Sequence, residues 1–185
     1  MSTLPTAPAG GRLSDTAAFK PVRVAVLTVS DTRDEESDTS GKVLAERVSR
    51  DGHHLAARDW SKDEVAAIQS TLKSWIEDPE IDVVITTGGT GLTGRDVTPE
   101  AARPLFEKEI EGFQTVWHTV SYASVGLSTL ASRACAGVAN GTFIFCLPGS
   151  NGACKDGWDK VIRWQIDSRH LPCNLVELMP RLKER

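Results

Sequence analysis

IDVVITTGGTGLTGRDVTP, residues 81–99, reads as a strand, a glycine-rich turn and the start of a helix. Val83, Val84 and Ile85 are β-branched and apolar, the composition of a strand covered on both faces. Gly88, Gly89, Gly91 and Gly94 follow among threonines, and the run then delivers Arg95 and Asp96. Thr98-Pro99-Glu100 supplies an N-cap, a proline for the first helical position and a first-turn acid. A strand that runs into such a turn and then a helix is a common phosphate site. Glycine amides approach an anion with no Cβ in the way, and a helix N-terminus adds a favourable dipole.

Two more strands end in ligand-type residues. Upstream, VRVAVLTV (residues 22–29) is apolar almost throughout and ends at Thr28, Ser30 and Asp31. Downstream, TFIFCL (residues 142–147) runs into Pro148-Gly149-Ser150. In parallel α/β sheets, ligands bind at the carboxyl ends of the strands. The other reading of Ser30-Asp31 is that the pair merely begins a turn. Between these strands the periodicity predicts a helix over residues 40–50 capped by Ser40, and a short strand over 55–59. A helix comes next with Val65, Ile68, Leu72 and Ile76 on one face. Ser61 and Glu64 fit a capping box, which puts Asp63 in that helix's first turn, where an acid also serves the helix dipole. Pro104 breaks the helix begun at Thr98. Later come a helix over 113–123 and a strand over 134–138. Asn140-Gly141 is a hairpin signal, and a last helix is capped by Ser150 or Asn151.

This alternation predicts a three-layer α/β/α domain with a mostly parallel sheet and one antiparallel hairpin. A single domain spans residues 21–176, with a flexible N-terminal tail (1–20) and a C-terminal tail (177–185). Asp34, Glu35, Glu36 and Asp38 read as a solvated charge run, as does the segment 107–111. Cys135 and Cys146 read as buried thiols, and His53, His54 and His118 as packing or surface residues. The net charge of −4 and the lack of a visible basic patch give no reason to expect nucleic acid as a partner. No secretory h-region or apolar span is present, so the expectation is a cytoplasmic protein without a membrane partner.

Gly89-Thr-Gly91-Leu-Thr-Gly94 satisfies G-x-G-x-x-G. A dinucleotide fingerprint would follow the first strand and close inside a helix, whereas this loop follows the third strand and three residues still precede the helix. A Walker loop is absent as well, because no G-K-[ST] occurs. Asp96 beside an anion loop repels phosphate, and Mg²⁺, which bridges phosphate oxygens to carboxylates, explains it better. Asp63 can reach the same end of the sheet. Two carboxylates and a phosphate cradle suit metal-assisted nucleotidyl or phosphoryl transfer.

TTGGTGLTGRDVTPEA, with LTVSD upstream and TLASRA and LPGS downstream, resembles the MoaB/MogA family of molybdenum cofactor biosynthesis proteins over residues 22–175. The LTG form of the loop and the segment RHLPCNL resemble the MoaB branch. The resemblance implies a molybdopterin-binding α/β fold and a trimer, or a hexamer made of two trimers. It also implies adenylylation of molybdopterin by Mg-ATP with release of pyrophosphate, and hand-off to a MoeA-type metal-insertion protein. By the same resemblance Asp96 (in D-V-T-P) and Asp63 are the catalytic pair and Mg²⁺ ligands. Lys62 stands where the family's P-D-E motif has proline. Gly88, Gly89, Thr90 and Gly91 would bind phosphate, and Ser30, Ser132 and Ser150 would line the pterin and phosphate site. Some members of the branch lack the second aspartate and the catalysis with it, whereas this chain has both. A non-catalytic molybdopterin-binding or delivery protein is the alternative, and an unrelated sugar- or nucleotide-binding module the third reading.

Overall fold

The computed structural model describes Pro8 and residues 10–184; residues 1–7, Ala9 and Arg185, which belong to the two expected tails, lie outside the described residues. In chain order the elements are β1 (Arg12–Leu13), β2 (Arg23–Val29), α1 (Thr39–Arg50), β3 (His54–Ser61), α2 (Val65–Glu77), β4 (Val83–Thr87) and α3 (Thr98–Ala102). Then come β5 (Lys108–Glu109), α4 (Glu111–Val125), β6 (Cys135–Ala139), β7 (Thr142–Leu147), α5 (Asn151–Gly157), α6 (Arg163–Gln165) and β8 (His170–Leu171). A π-helical turn, Trp158–Ile162, joins α5 to α6.

The main sheet has the order β3-β2-β4-β7-β6-β5, and β1 and β8 form a separate ribbon. The first four strands are parallel, while β6 runs antiparallel to β7 and β5 antiparallel to β6. β2 shows why such strands are apolar throughout. Val24 and Val26 pack on one face with Leu44 and Val48 of α1 and with Trp117 and Trp158. Ala25, Leu27 and Val29 pack on the other with Ile68, Leu72 and Trp75 of α2. Helices thus cover both faces, giving the expected three layers. From β2 the chain goes out to β3 on one side and returns to β4 on the other. The order therefore reverses at β2/β4, a place where α/β sheets open a crevice. In register, Thr28 lies opposite Thr87, and Thr87 opposite Leu147, so the carboxyl ends of β2, β4 and β7 are level.

Several local expectations give way to tertiary contacts. Asp38, not Ser40, caps α1, accepting from the Gly41 amide at 2.8 Å. Asp34, Glu35 and Glu36 are exposed as expected, but Asp38 is buried. Its carboxylate also accepts from Thr28 Oγ1 (2.7 Å), Arg58 Nη2 (2.9 Å) and Trp60 Nε1 (3.1 Å). Burial alone would raise the Asp38 pKa, yet the Gly41 amide, Arg58 and Thr28 hold it below the ordinary value.

The capping box does not form. Val29 pairs with Ser61 and the Ser30 amide donates to the Ser61 carbonyl, so the ladder carries β3 through Ser61. α2 starts only at Val65, behind Glu64, which makes no side-chain cap. Asp63 consequently lies in the β3–α2 turn rather than in a helical turn. On α2 the buried face is Ile68, Leu72 and Trp75, while Val65 is exposed. Lys108 and Glu109 have exposed side chains, yet their backbone pairs with β6 as an edge strand.

Neither described tail hangs free. β1 pairs with β8, and the Ser168 hydroxyl receives the Lys20 amide at 2.8 Å. Val176, Met179 and Leu182, three residues apart, bring a 3₁₀ stretch (Val176–Arg181) against the core. The hairpin holds as expected, with Asn140 (φ 47°) and Gly141 (φ 86°) turning between β6 and β7.

Of the two expectations for His53, surface or packing, the structure gives packing. The residue is 5% exposed, and its Nδ1 accepts the Val22 amide at 3.2 Å. Burial lowers its pKa from 6.5 to about 4, against the opposing pull of Asp167 and Asp51. The unfolded chain therefore binds the extra proton between these two values, and stability rises with pH across that window. Urea midpoints should show about 3 kcal/mol lost between pH 6.5 and pH 4 through this residue. His53→Gln, which keeps an acceptor without the titration, should remove that portion of the pH dependence.

Candidate functional site

The glycine loop is shaped by contacts that only glycine permits. Gly88 has φ +109°, and a Cβ there would strike the Val29 carbonyl of β2. Gly89 has φ +62°, and a Cβ there would stand 2.8 Å from Asp63 Oδ1. A Cβ on Gly91 would stand 2.7 Å from Asp96 Oδ2. The two aspartates therefore press on the loop at its two ends, Asp63 against Gly89 and Asp96 against Gly91. Thr98 acts differently from the N-cap expected of it. Its hydroxyl donates to the Gly88 carbonyl and its amide to the Gly89 carbonyl, both at 2.9 Å, so it fastens the loop to α3. The loop's carbonyls are thus occupied, while the amides of Gly89 and Thr90 donate to no acceptor among the described residues. Free amides at a carboxyl edge are anion donors.

An open cleft of about 830 Å³ lies over this edge. Ser30, Asp63, Gly88, Gly89, Thr90, Gly91, Asp96, Ser132, Pro148, Gly149 and Ser150 all line it, so most of the sequence's candidate residues converge. Two do not. Thr28 is buried behind the cleft, donating to Asp38. Asp31 lies to the side, where Arg95 holds it in a forked pair at 2.8–3.0 Å.

The carboxylates differ in state. Asp63 is raised above its ordinary value, first by burial and then by the negative charges of Asp31 and Asp96. Asp96 is lowered, chiefly by Thr93, whose hydroxyl and amide donate to its Oδ2 at 2.6 and 2.9 Å. Neighbouring carboxylates with pKa values pushed apart are a frequent mark of functional sites.

Several lining residues were not singled out from the sequence. Arg33 is the one cation among them; its Nη1 donates to Ser40 Oγ (2.8 Å) and to the Gly149 carbonyl (3.2 Å). Ser121, Ser124, Ser128 and Thr129 give one wall a row of hydroxyls. Trp117 Nε1 fixes Ser132 at 3.1 Å. Ser121 and Ser124, three residues apart on α4, are followed by Ser128 and Thr129 in the 3₁₀ stretch Gly126–Ala131, and that run of hydroxyl residues was the available signal. Arg133, beside the cleft, donates through Nε to the Gly91 carbonyl at 2.7 Å.

Comparison with known proteins accords with this architecture. Residues 25–168 match the sequence pattern of a family described as a probable molybdopterin binding domain. Molybdenum cofactor biosynthesis protein B of Escherichia coli (strain K12) is 46% identical over 166 residues, which cover 90% of this chain and 96% of that protein. A crystal structure of a molybdenum cofactor biosynthesis protein B superposes with a TM-score of 0.81 at 36% identity, covering 91% of this chain and all of the other. The tungsten cofactor synthesizing protein MoaB from Pyrococcus furiosus gives 0.64 at 38% identity, over 77% of this chain and 91% of that one. The chain belongs to the MoaB/MogA family of molybdenum cofactor biosynthesis proteins.

Proposed function

We propose that this chain works in molybdenum cofactor biosynthesis by adenylylating molybdopterin. A terminal phosphate oxygen of molybdopterin attacks the α-phosphorus of ATP. The bond from that phosphorus to the β-phosphate's bridging oxygen breaks, and pyrophosphate leaves. The observation that carries the reading is the placement of two carboxylates, Asp63 and Asp96, against a glycine loop with free amides.

The chain's own groups have separable tasks. The Gly89 and Thr90 amides hold phosphate oxygens, and Arg33 adds a charge-assisted donor. The hydroxyl wall of Ser121, Ser124, Ser128 and Thr129, together with Ser132, offers donors and acceptors to a pterin's polar edge. Mg²⁺ fits the donor set, since it takes one or two carboxylates and leaves its other positions to water and phosphate. The raised Asp63 supports this, because a cation would relieve the crowding of negative charge there. Asp63 and Asp96 would hold the ion, which supplies neutralisation of charge on the phosphate oxygens. Catalysis of this type is positioning plus electrostatics, and the cleft's residues provide both.

Self-association as a trimer or hexamer accompanies the proposal. The segment beside the hydroxyl wall exposes Leu127 and Leu130, 72% and 74% accessible, which supports a buried contact in an assembly. No helix among the described residues is long and apolar enough to cross a membrane.

Pyrophosphate release from Mg-ATP in the presence of molybdopterin tests the activity. Asp96→Ala and Asp63→Ala should each lose about 100-fold or more in kcat. Pterin binding without turnover, indifferent to Asp63→Ala, would instead mark a binding or delivery protein. Asp63 also makes a stability prediction. Its folded pKa lies above the ordinary 3.8, so the folded state holds the proton more tightly and stability falls as pH rises through that window. Above the window the ionised form carries the cost, so Asp63→Asn should melt at a higher temperature than wild type at pH 7 without Mg²⁺. That advantage should vanish on acidification below 3.8.

A further inference from the structure

Asp96 stands at the end of a segment that has little to hold it. Leu92, Thr93, Gly94 and Arg95 are exposed, Leu92 at 69%. On the outer side, Arg95 reaches Asp31, but those side chains are 62% and 37% accessible, and ion pairs so exposed contribute little. On the inner side lies Arg133. Its Nε donates to the Gly91 carbonyl and its Nη2 to the Asp96 carbonyl, each at 2.7 Å. Nη1 and Nη2 also meet the Glu100 carboxylate in the first turn of α3. The Arg133 amide donates to the Thr90 carbonyl at 2.9 Å. One side chain therefore grips both ends of the loop and the helix behind it. Its own backbone runs directly into Ala134 and Cys135, which are buried.

We propose that Arg133 is the positioning residue of the cleft, holding Asp96 against Gly91 so that its carboxylate faces the phosphate site. The proposal rests on the adenylyl-transfer reading for its kinetic consequence, and on geometry alone for the placement. Three acceptors, at the two ends of one loop and on the helix that follows it, require the planar fork of a guanidinium. A lysine ammonium keeps the charge but cannot bridge the Gly91 and Asp96 carbonyls together. The gripped segment contributes no buried apolar side chain, so releasing it costs local order more than global stability. The Arg133 charge also helps lower Asp96, after Thr93 and the Gly91 amide.

The test uses the full chain and Arg133→Lys, with Arg133→Ala beside it. Hydrogen exchange of the amides of residues 92–97 should quicken about tenfold or more in Arg133→Lys, with the β6–β7 hairpin unchanged. Turnover should fall about 100-fold while KM for Mg-ATP stays within about threefold, the split expected of misplaced groups. Unchanged loop exchange in both variants overturns the proposal. So does faster exchange with kcat retained, or a kcat loss matched by faster exchange throughout the hairpin, which marks a merely structural role. If wild type releases no pyrophosphate, adenylyl transfer fails, and the exchange of residues 92–97 alone still decides whether Arg133 places Asp96.

Discussion

The close approach of three backbone segments at Gly88 is the constraint on which the site depends. Its Cα lies where the Val29 carbonyl comes from one side and Gly149 from the other, and a Cβ on Gly149 would stand 3.0 Å from it. This contact is possible only because β2, β4 and β7 end at one level. It brings Ser30, the glycine loop and Pro148-Gly149-Ser150 within one cleft, although they are far apart in sequence. Widening the contact by one methyl group would separate the loops that converge there.

The cleft is acidic for a site built to hold anions. Asp63, Asp96 and Asp156 line it against Arg33 alone. Backbone amides offset part of this imbalance, as they attract phosphate without adding a countercharge that carboxylates would pair with. A hard cation would offset more. The carboxylates are also held differently: Asp96 is tied by the neighbouring Thr93, while Asp63 sits partly buried with its carboxyl turned to the loop.

Much of this was legible in the sequence, because the fold is carried by local patterns. Continuous apolar runs marked β2, β4 and β7, glycines marked the strand ends, and Asn140-Gly141 marked the hairpin. Parallel strands with helices between them then force the strand ends together. What was not legible came from long-range partners. Asp38 looks like its solvated neighbours until Arg58, Trp60 and Thr28 converge on it. Ser61 looks like a cap until the β2 ladder claims it. Asp31 belongs to the same Ser-Asp turn as Ser30, yet Arg95 draws it off to the side of the cleft. Arg33 and Arg133 carry no periodic signal, since their meaning lies in carbonyls contributed by other segments.

The antiparallel hairpin has a consequence for the kind of wall a parallel sheet can place around its crevice. Parallel strands offer only their outgoing ends to one edge, and each passes into a loop leading away to a helix. β6 runs the other way, so its incoming end lies at that edge. The chain arrives there from α4 rather than leaving for a helix. Ser132 and Arg133 are therefore held from both sides, by the buried start of β6 after them and by Trp117 of α4 and the Thr129 carbonyl before them. A single reversed strand gives the cleft a wall that leads straight into the sheet's interior, facing loops that leave the sheet there.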